Sequence, residues 1–374
     1  MAKSPEKDNG ELMKQFNLVG EGIKLILKEN VLAVLSDIPL DTVSSAFYNG
    51  GGLKKIKAIL NVEVIKSCSD QYLHDNPEVY IIDSSKKFGL RENFIGMVTA
   101  AAVENFSLVS KRNGDLAVSV IATAADNEGN TCNFAESAGE AIEVQHIEGT
   151  INIIVVIDGN PTESCLVSTL ITATEAKMAA LRELDIRSRF SGDQATGTVT
   201  DAVVAAETGR GAPIVYAGPA SELGQLVGYC TRKAVKEAIM KANECMPCRS
   251  ILNRLKEMHL PIEKLAFELS KVKSLGADEE TIASNLVRIL RSDPLSASVV
   301  MAAVKMDEDV EKGLVPPEFG QIGVLSKSFG EFFFKQTGAN AAEYDSVDLP
   351  LFLKNVLIGV MKNVFSKANT ESLK

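Results

Sequence analysis

The stretch from Gly149 to Asp201 constrains the fold of this chain more than any other segment. An apolar run at residues 150–157 is typical of a strand, and an Asp-Gly turn follows it. An Asn-Pro pair then opens a predicted helix over residues 161–184, with Asn as the N-cap and Pro at the first helical position. A basic loop leads to a second predicted strand at residues 203–206. Two strand starts therefore flank one helix.

Both strand starts are rich in glycine and hydroxyl side chains. The first reads Gly149-Thr150-Ile151-Asn152, and the second reads Ala195-Thr196-Gly197-Thr198-Val199-Thr200-Asp201. Small and hydroxyl-bearing residues at the ends of strands allow a ligand to approach the backbone closely. The same residues also suit ordinary turns. In a strand that starts at Thr198, residues 198 and 200 would share one face, and Asp201 would lie on the other.

The predicted helix carries one charged residue on its apolar stripe. The stripe is formed by Leu166, Leu170, Ala173, Leu181 and Leu184, and Lys177 falls on the same side. Two interpretations stay open. Lys177 extends along the edge of the stripe to solvent, or it is buried and paired with a carboxylate, for which Glu148 and Asp201 are the candidates. Glu175 is two residues away and points elsewhere.

The first half of the chain is rich in hairpin-linked strands. Residues 22–35 predict a β-hairpin, and Asp37–Leu40 breaks it. Asn113-Gly114 marks a second hairpin turn. Further strands are predicted at 56–65, 116–122 and 142–144, and a helix at 77–88. This order favours an α+β fold with a largely antiparallel sheet packed with helices over a doubly wound parallel sheet.

The pattern changes near Pro247, where strand signals almost vanish. Helical spacing then recurs at residues 249–259, 261–273, 278–291, 296–313 and 349–367. We therefore predict a flexible tail at residues 1–15, a mixed domain at 16–245 and a smaller all-helical domain at 246–374.

Composition and charge exclude several classes of protein. The net charge of −10 argues against a nucleic-acid-binding surface, which needs clustered Lys and Arg. No apolar run approaches the length of a membrane span, and the charged first residues lack the apolar core of a signal peptide. The six cysteines are scattered and are expected to be reduced thiols in a cytoplasmic protein. Cys245 and Cys248 form a single CxxC, which cannot supply four zinc ligands, so no metal site is predicted.

No common catalytic signature is present, and the histidines at 74, 146 and 259 do not form a recognisable triad. The remaining polar candidates lie beside glycines or at the ends of elements. They are Asn49, Thr99, Thr150, Asn152, Thr174, Glu175, Lys177, Thr196, Thr198, Thr200 and Asp201. Each of them, taken singly, is also typical of a turn, a cap or a strand start.

Taken in order, several of these phrases resemble one family. The phrases are Asn49-Gly50-Gly51, Gly96-Met97-Val98-Thr99-Ala100-Ala101, Gly149-Thr150-Ile151-Asn152, Thr172 to Lys177, Ala195 to Ala202, and Leu223-Gly224. As an ordered set over residues 20–243, they resemble the adenosylcobinamide amidohydrolase family of corrinoid salvage. The resemblance implies hydrolysis of the amide that joins the corrin side chain to aminopropanol, with a small-molecule corrinoid as the partner. It implies no separate cofactor, since the cobalt belongs to the substrate.

Amide hydrolysis needs an activated water or hydroxyl, an oxyanion site and a proton for the leaving amine. Under this resemblance, Asp201 and Glu175 are candidate bases, Lys177 is a candidate acid or activator, and Thr198 is a candidate hydroxyl. The candidate substrate-binding residues are Asn49, Gly50, Thr99, Thr150, Asn152, Thr196, Gly197 and Thr200. We predict that residues 49–52, 149–152, 174–177 and 196–201 meet at one pocket.

The helical part shows a fainter similarity. Leu295 to Ser298, Gly330-Glu331 and Gly338 to Asn340 resemble phosphatidylglycerophosphatase A-like ribazole-phosphate phosphatases. Those families have an acidic pair where Lys327-Ser328 stands here. The alternatives to the amidohydrolase are therefore a corrinoid-binding module without chemistry, and a phosphatase activity of the helical domain.

Overall fold

The structure is a computed structural model that describes residues 6–8, 11–64, 76–125, 149–242, 249–315, 322–334 and 345–371. Four features discussed above, namely His74, the strand at 142–144, His146 and Glu148, lie outside the described residues, as do Cys245 and Cys248. The chain divides into two compact units, Met1–Pro247 and Cys248–Lys374. Each unit is described by itself.

Among its described residues, the N-terminal unit contains a ten-stranded sheet, a two-stranded sheet and three α-helices. Its strands are β1 (Glu6–Asp8), β2 (Glu11–Asn17), β3 (Ile23–Lys28), β4 (Val31–Ser44), β5 (Gly51–Glu63), β6 (Phe94–Thr99), β7 (Ser107–Asn113), β8 (Leu116–Ala125), β9 (Thr150–Asp158), β10 (Asn160–Pro161), β11 (Ala202–Glu207) and β12 (Pro213–Ile214). Its α-helices are α1 (Glu78–Lys86), α2 (Glu163–Glu183) and α3 (Glu222–Ala242). The predicted hairpins at 22–35 and at Asn113-Gly114 are both present.

Ten strands form one sheet in the order β1-β2-β3-β4-β11-β9-β8-β7, and β5 pairs with both β4 and β6. Most neighbouring strands are antiparallel, which confirms the predicted α+β class. The sheet is parallel only where a helix connects two strands, at β5 and β6 through α1 and at β9 and β11 through α2. A parallel pair needs such a crossover because the chain must return to the same edge of the sheet.

Strand β9 lies at the centre of this unit, and its side chains alternate between two cores. Those that pack in the core beneath α2 and α3 are Ile151, Ile153, Val155 and Ile157. Those that pack in the interior formed with β3, β4 and β5 are Ile154 and Val156. A strand covered on both faces is apolar throughout, as the run at 150–157 indicates. Thr150 and Asn152 are the polar exceptions on the interior face.

Two local predictions are wrong. Residues 11–17, assigned in part to a tail, form β2, which pairs antiparallel with β3. Backbone hydrogen bonds to the edge of the sheet at β3 stabilise this segment as a strand. Amino-acid composition does not indicate where such an edge lies. Residues 37–40 do not end the strand either, because β4 continues to Ser44 through an irregularity between Leu35 and Leu40. Regular pairing with β5 is interrupted at this point, so Pro39, which has no N–H, is not required to donate a ladder hydrogen bond.

Helix α2 begins two residues later than predicted. Its N-cap is Thr162, whose side chain accepts a hydrogen bond from the Cys165 amide. Asn160 and Pro161 instead form β10, which pairs with β12. Because Asn160 and Pro161 pair with β12, they are not part of the helix. The Thr162 hydroxyl caps the helix instead.

The C-terminal unit is helical among its described residues, as predicted from the sequence. Its helices are α4 (Ile251–Glu257), α5 (Ile262–Ser270), α6 (Glu279–Ser292), α7 (Pro294–Glu311), α8 (Ile322–Phe334) and α9 (Leu351–Glu371). Sequence periodicity missed α8. The Asp307 carboxylate accepts hydrogen bonds from the Phe352 and Leu353 amides, both at 2.8 Å, and so caps α9. Among all described helices, none is long and apolar enough to cross a lipid bilayer.

Candidate active site

The starts of β9 and β11 lie side by side. The two strands are parallel with Ala202 opposite Asn152, so Gly149, Thr150 and the loop before Ala202 meet at one edge of the sheet. The register therefore brings the two hydroxyl-rich strand starts together, although they are about fifty residues apart in sequence.

Asp201 is the centre of this edge. Within the described residues, its Oδ1 accepts hydrogen bonds from the Ile151 amide at 2.9 Å and the Thr198 hydroxyl at 2.5 Å. Its Oδ2 accepts from the Thr198 amide at 3.1 Å and from Lys177 Nζ at 2.5 Å. A carboxylate with four hydrogen-bond donors is held in one orientation.

Lys177 reaches this carboxylate from α2. The residue is 7% exposed, and the rest of its helical stripe is buried in the core beneath α2 and α3. The prediction of a lysine that extends to solvent is therefore wrong. The prediction of a buried ammonium paired with Asp201 is confirmed. A buried charge needs such a partner because isolated charges are poorly solvated by an apolar core.

Gly197 makes room for the ion pair. A Cβ atom on this residue would lie 2.4 Å from Asp201 Oδ2 and 2.7 Å from Lys177 Nζ. Both distances are shorter than carbon–oxygen and carbon–nitrogen contacts allow, so a side chain here would displace one partner. The glycine in this loop is therefore required by close packing against the two charged groups.

The threonines of the loop point differently from the predicted alternation. Residues 199–200 form a turn, and the strand begins only at Ala202, so Thr198 contacts Asp201 directly. The Thr200 hydroxyl lies 2.7 Å from the Thr150 hydroxyl. The hydroxyls of Thr198 and Thr200 are also 2.8 Å and 3.1 Å from the Gly149 carbonyl oxygen, so both tie the loop to β9.

Asn152 belongs to a buried polar chain on the interior face of the sheet. Its Nδ2 donates to Asn61 Oδ1 and to the Val98 carbonyl, both at 2.8 Å. Asn61 Nδ2 in turn donates to Thr123 Oγ1 at 2.8 Å. The sequence analysis missed Asn61 and Thr123. Their signal was a single polar residue within an otherwise apolar stretch, residues 58–62 of β5 and residues 120–125 of β8, where the interior face should be apolar.

The Asn49 loop is attached at the same end of β11. Ser45 exchanges two hydrogen bonds with Val203, each 3.0 Å long. Asn49 has a φ of 54°, and its side-chain amide donates to the Phe94 carbonyl at 2.9 Å. Gly50 is needed because a Cβ there would lie 2.1 Å from the Ala46 carbonyl oxygen. The contacts described for Asn49 and Gly50 therefore stabilise the conformation of this loop.

The remaining predicted residues are more scattered. The Thr99 hydroxyl accepts from the Ala101 amide at 3.0 Å and stabilises a turn after β6. Thr196 is half-buried in the loop before Gly197. The Thr174 hydroxyl donates to the Leu170 carbonyl within α2.

Glu175 lies apart from the Lys177–Asp201 pair. It is exposed and lines a groove of about 800 Å³ between α2 and α3, together with Tyr229 and Arg232. Residues two apart on a helix point in different directions, as the sequence predicted. Segments 149–152 and 196–201 and the side chain of Lys177 therefore meet, whereas Glu175 faces outward.

Metal ligands are not grouped in the part of the chain that the structure describes. There, no three His, Cys, Asp or Glu side chains are placed to hold one ion. Burial raises the pKa of the Cys165 thiol and raises that of Cys230 to about 11, so both thiols of the helical layer stay protonated near neutral pH.

Comparison with known proteins identifies the N-terminal unit. A protein of Methanosarcina mazei named adenosylcobinamide amidohydrolase is 27% identical over 222 residues, which cover 57% of this chain and 96% of that protein. An uncharacterized protein of Methanocaldococcus jannaschii is 28% identical over 208 residues, covering 52% of this chain and 80% of its own.

A crystal structure of a Pyrococcus horikoshii OT3 protein aligns with 62% of this chain and 83% of its own, at 14% identity and a TM-score of 0.31. A score this low does not establish a shared fold. The sequence profile of one family, described as adenosylcobinamide amidohydrolase, matches residues 18–247. Because this match extends over more than half of the chain, the protein belongs to the adenosylcobinamide amidohydrolase family.

Proposed function

We propose that this protein hydrolyses the amide that joins the corrin side chain of adenosylcobinamide to aminopropanol. The products are adenosylcobyric acid and 1-amino-2-propanol. One observation carries the proposal beyond family membership. Asp201 contacts a hydroxyl and an ammonium at once, through Thr198 Oγ1 and Lys177 Nζ. A nucleophile, a base and a cation within hydrogen-bond reach are the groups that amide hydrolysis needs.

The geometry suggests a role for each group. The Thr198 hydroxyl has one hydrogen and two acceptors within reach, Asp201 Oδ1 and the Gly149 carbonyl oxygen. In the reactive arrangement it donates to Asp201, which leaves the oxygen lone pairs for attack on the amide carbonyl carbon. In the proposed step, the hydroxyl proton passes to Asp201 as the carbon–oxygen bond forms. Lys177 then gives a proton to the leaving nitrogen as the carbon–nitrogen bond breaks. The proton on Asp201 then passes to Lys177 along their hydrogen bond, which restores both groups. Water adds to the ester carbonyl carbon, its OH stays on the released acid, and its other hydrogen restores the Thr198 hydroxyl as the carbon–oxygen bond to Thr198 breaks.

A second candidate is a corrinoid-binding module without chemistry. It is favoured by the four donors that surround Asp201, since a carboxylate so fully hydrogen-bonded also serves as a rigid anchor for a loop. The two candidates differ in whether Thr198 reacts. The predicted phosphatase activity of the helical unit stays a prediction.

The test is incubation of the full-length protein with adenosylcobinamide, followed by mass spectrometry of both products. Thr198→Val should abolish product, and Thr198→Ser should retain it. A mass increase on the Thr198 peptide, equal to a cobyric acyl group, would identify the ester. Asp158→Asn is the matched control, because this aspartate lies at the opposite end of β9 and pairs with Arg112 and Arg210.

The outcomes separate the candidates. Product from the native protein and from Asp158→Asn, but not from Thr198→Val, supports the proposal. Corrinoid bound without product indicates the binding module. Equal product from the native protein and Thr198→Val excludes Thr198 as the nucleophile and leaves a water activated by Asp201.

A further inference from the structure

A single backbone carbonyl fixes the orientation of the buried polar chain. The Val98 carbonyl can only accept a hydrogen bond, so the Asn152 group 2.8 Å away must be its amide nitrogen, Nδ2. The same nitrogen donates to Asn61, which must therefore present its oxygen. Asn61 Nδ2 is then left to donate to Thr123 Oγ1. The two amides and the hydroxyl can thus adopt only one donor–acceptor arrangement.

This arrangement leaves one oxygen without a donor. With Nδ2 fixed, Asn152 Oδ1 is buried, and among the described residues no N–H or O–H group donates to it. Asn152 as a whole is 1% exposed. An unpaired buried acceptor costs about 1–3 kcal/mol, and native proteins rarely keep one without a reason.

Asn152 lies two residues along β9 from Thr150, which contacts the loop of the candidate active site. Asn152 and Thr150 share one face of β9, since alternate residues of a strand point the same way. The Thr150 hydroxyl is bonded to Thr200 in the loop that carries Asp201. Asn152 therefore lies on the same face of β9 as the Thr150–Thr200 contact and two residues away from it.

The surroundings argue against a purely structural role. The interior face around Asn152 is built from apolar residues of β3, β4, β5 and β9. Apolar side chains at positions 61, 123 and 152 would fill this space without the cost of burying three polar groups. A buried polar group that stays unsatisfied in a native protein calls for a specific explanation, such as a functional role or a bound water molecule.

We propose that Asn152 Oδ1 accepts a hydrogen bond from an amide N–H of the substrate, and that Asn61 and Thr123 are positioning residues for it. This inference rests on the proposed corrinoid substrate. Such a substrate offers two sources of this donor, the secondary amide that is cleaved and the primary amides around the corrin ring. In both cases an amide N–H of the substrate supplies the hydrogen bond that Asn152 Oδ1 lacks among the described residues.

The experiment measures two quantities for each full-length variant. The first is kcat/KM for adenosylcobinamide. The second is the Kd of adenosylcobyric acid, which keeps the ring amides but lacks the cleaved one. The variants are Asn152→Leu, Thr123→Val and Thr123→Ser. Thr169→Val is the matched control, since Thr169 is also fully buried but bonds only to the Cys165 carbonyl within α2.

Asn152→Leu should lower kcat/KM by about 10- to 100-fold, the range expected when one hydrogen bond to a buried group is lost. Thr123→Val should act in the same direction by a smaller factor, Thr123→Ser should restore the native value, and Thr169→Val should match the native protein. An unchanged Kd for adenosylcobyric acid assigns the cleaved amide as the donor. A Kd weakened in parallel assigns a ring amide.

The proposal is overturned if Asn152→Leu folds and keeps both native values, or if Thr123→Ser fails to restore what Thr123→Val loses. Should Asn152→Leu not fold, Thr123→Val and Thr123→Ser decide the question alone. Failure of this inference leaves native turnover intact. A native protein that neither binds nor cleaves corrinoids overturns the proposed function as well.

Discussion

Lys177 Nζ lies 2.5 Å from Asp201 Oδ2 and joins the middle of α2 to the start of β11. The two side chains are 8% and 14% exposed, so the pair is shielded from solvent. Removing one partner of such a pair leaves an uncompensated charge in the protein interior. Removing one partner therefore destabilises the fold by more than the intact pair stabilises it.

Replacing Lys177 tests whether the pair serves chemistry as well as stability. Lys177→Met should lower the free energy of unfolding by about 3–5 kcal/mol, because Asp201 is left charged and buried. It should also cut turnover of adenosylcobinamide by about two to four orders of magnitude, the range for an acid–base group. Denaturant unfolding and product formation provide the two measurements.

The double variant Lys177→Met with Asp201→Asn separates the two effects. It should recover part of the lost stability, since no charge remains unpaired, but it should stay inactive. Lys236→Met is the control, because Lys236 forms a half-exposed pair with Glu183 at 2.7 Å, and exposed pairs contribute only about 0–1 kcal/mol. Near-native turnover in Lys177→Met would contradict a role in proton transfer.

Gly197→Ala should disturb the same pair without removing either charge. The added Cβ would meet Asp201 Oδ2 and Lys177 Nζ at 2.4 Å and 2.7 Å. We expect a loss of about 1–3 kcal/mol in unfolding free energy, as for other overpacked sites, together with reduced turnover. Gly218→Ala is the matched control, since a Cβ at that position meets no atom within 4 Å. Equal stability and activity of the two variants would refute the packing argument.

The stability of the C-terminal unit should depend on pH through Glu268. Although burial raises the pKa of this carboxyl, hydrogen bonds from Lys271 and from the Asp348 amide outweigh burial and lower it. A carboxyl with a lowered pKa in the folded state stabilises that state above its unfolded pKa, and this contribution is lost as pH falls through the folded pKa. Glu268→Gln should therefore destabilise the unit at pH 7. The difference from native should begin to shrink near the ordinary glutamate pKa of about 4.3 and vanish only below the lower pKa that this carboxyl has in the folded state.

Hydrogen exchange of the segment that contains Asp348 measures this effect, because the Asp348 amide donates to Glu268 Oε2. Faster exchange is expected in Glu268→Gln at pH 7 after correction for intrinsic rates. Glu263→Gln provides the control, since Glu263 is exposed on the same helix. A difference between Glu268→Gln and native that grows as the pH falls would contradict the sign of the shift.

The N-terminal unit should fold and act without the helical one. The compact unit Met1–Pro247 contains the whole family match at residues 18–247 and all predicted site residues. A fragment of residues 1–247 is therefore expected to be monodisperse, to unfold cooperatively and to retain corrinoid turnover. Circular dichroism and the product assay test this. An inactive or aggregated fragment beside an active full-length protein would show that the helical unit supports the site.

Periodicity and turn residues were enough to predict the main elements. The apolar run at 150–157, the stripe of α2 and the Asn113-Gly114 turn are local signals, because they depend on which face a residue presents or on which dihedral angles it tolerates. The same reasoning placed a lysine on an apolar stripe and named Asp201 as a possible partner. The order of short glycine and hydroxyl phrases then indicated the family.

Only the tertiary structure decided which polar groups meet. The parallel register of β9 and β11 sets Ala202 opposite Asn152, and this alignment brings Asp201 to the amide of Ile151. The antiparallel register of β8 and β9 sets Thr123 opposite Asn152, and the curl of the sheet brings Asn61 of β5 within hydrogen-bond distance of both side chains. Sequence spacing gives no indication of this arrangement. Asn160 forms β10 because it pairs with β12, which follows it by about fifty residues. Local sequence determines the face of a strand or helix on which a side chain lies. Strand register and sheet curvature depend instead on the packing of segments that are distant in sequence. A catalytic site is assembled by such packing.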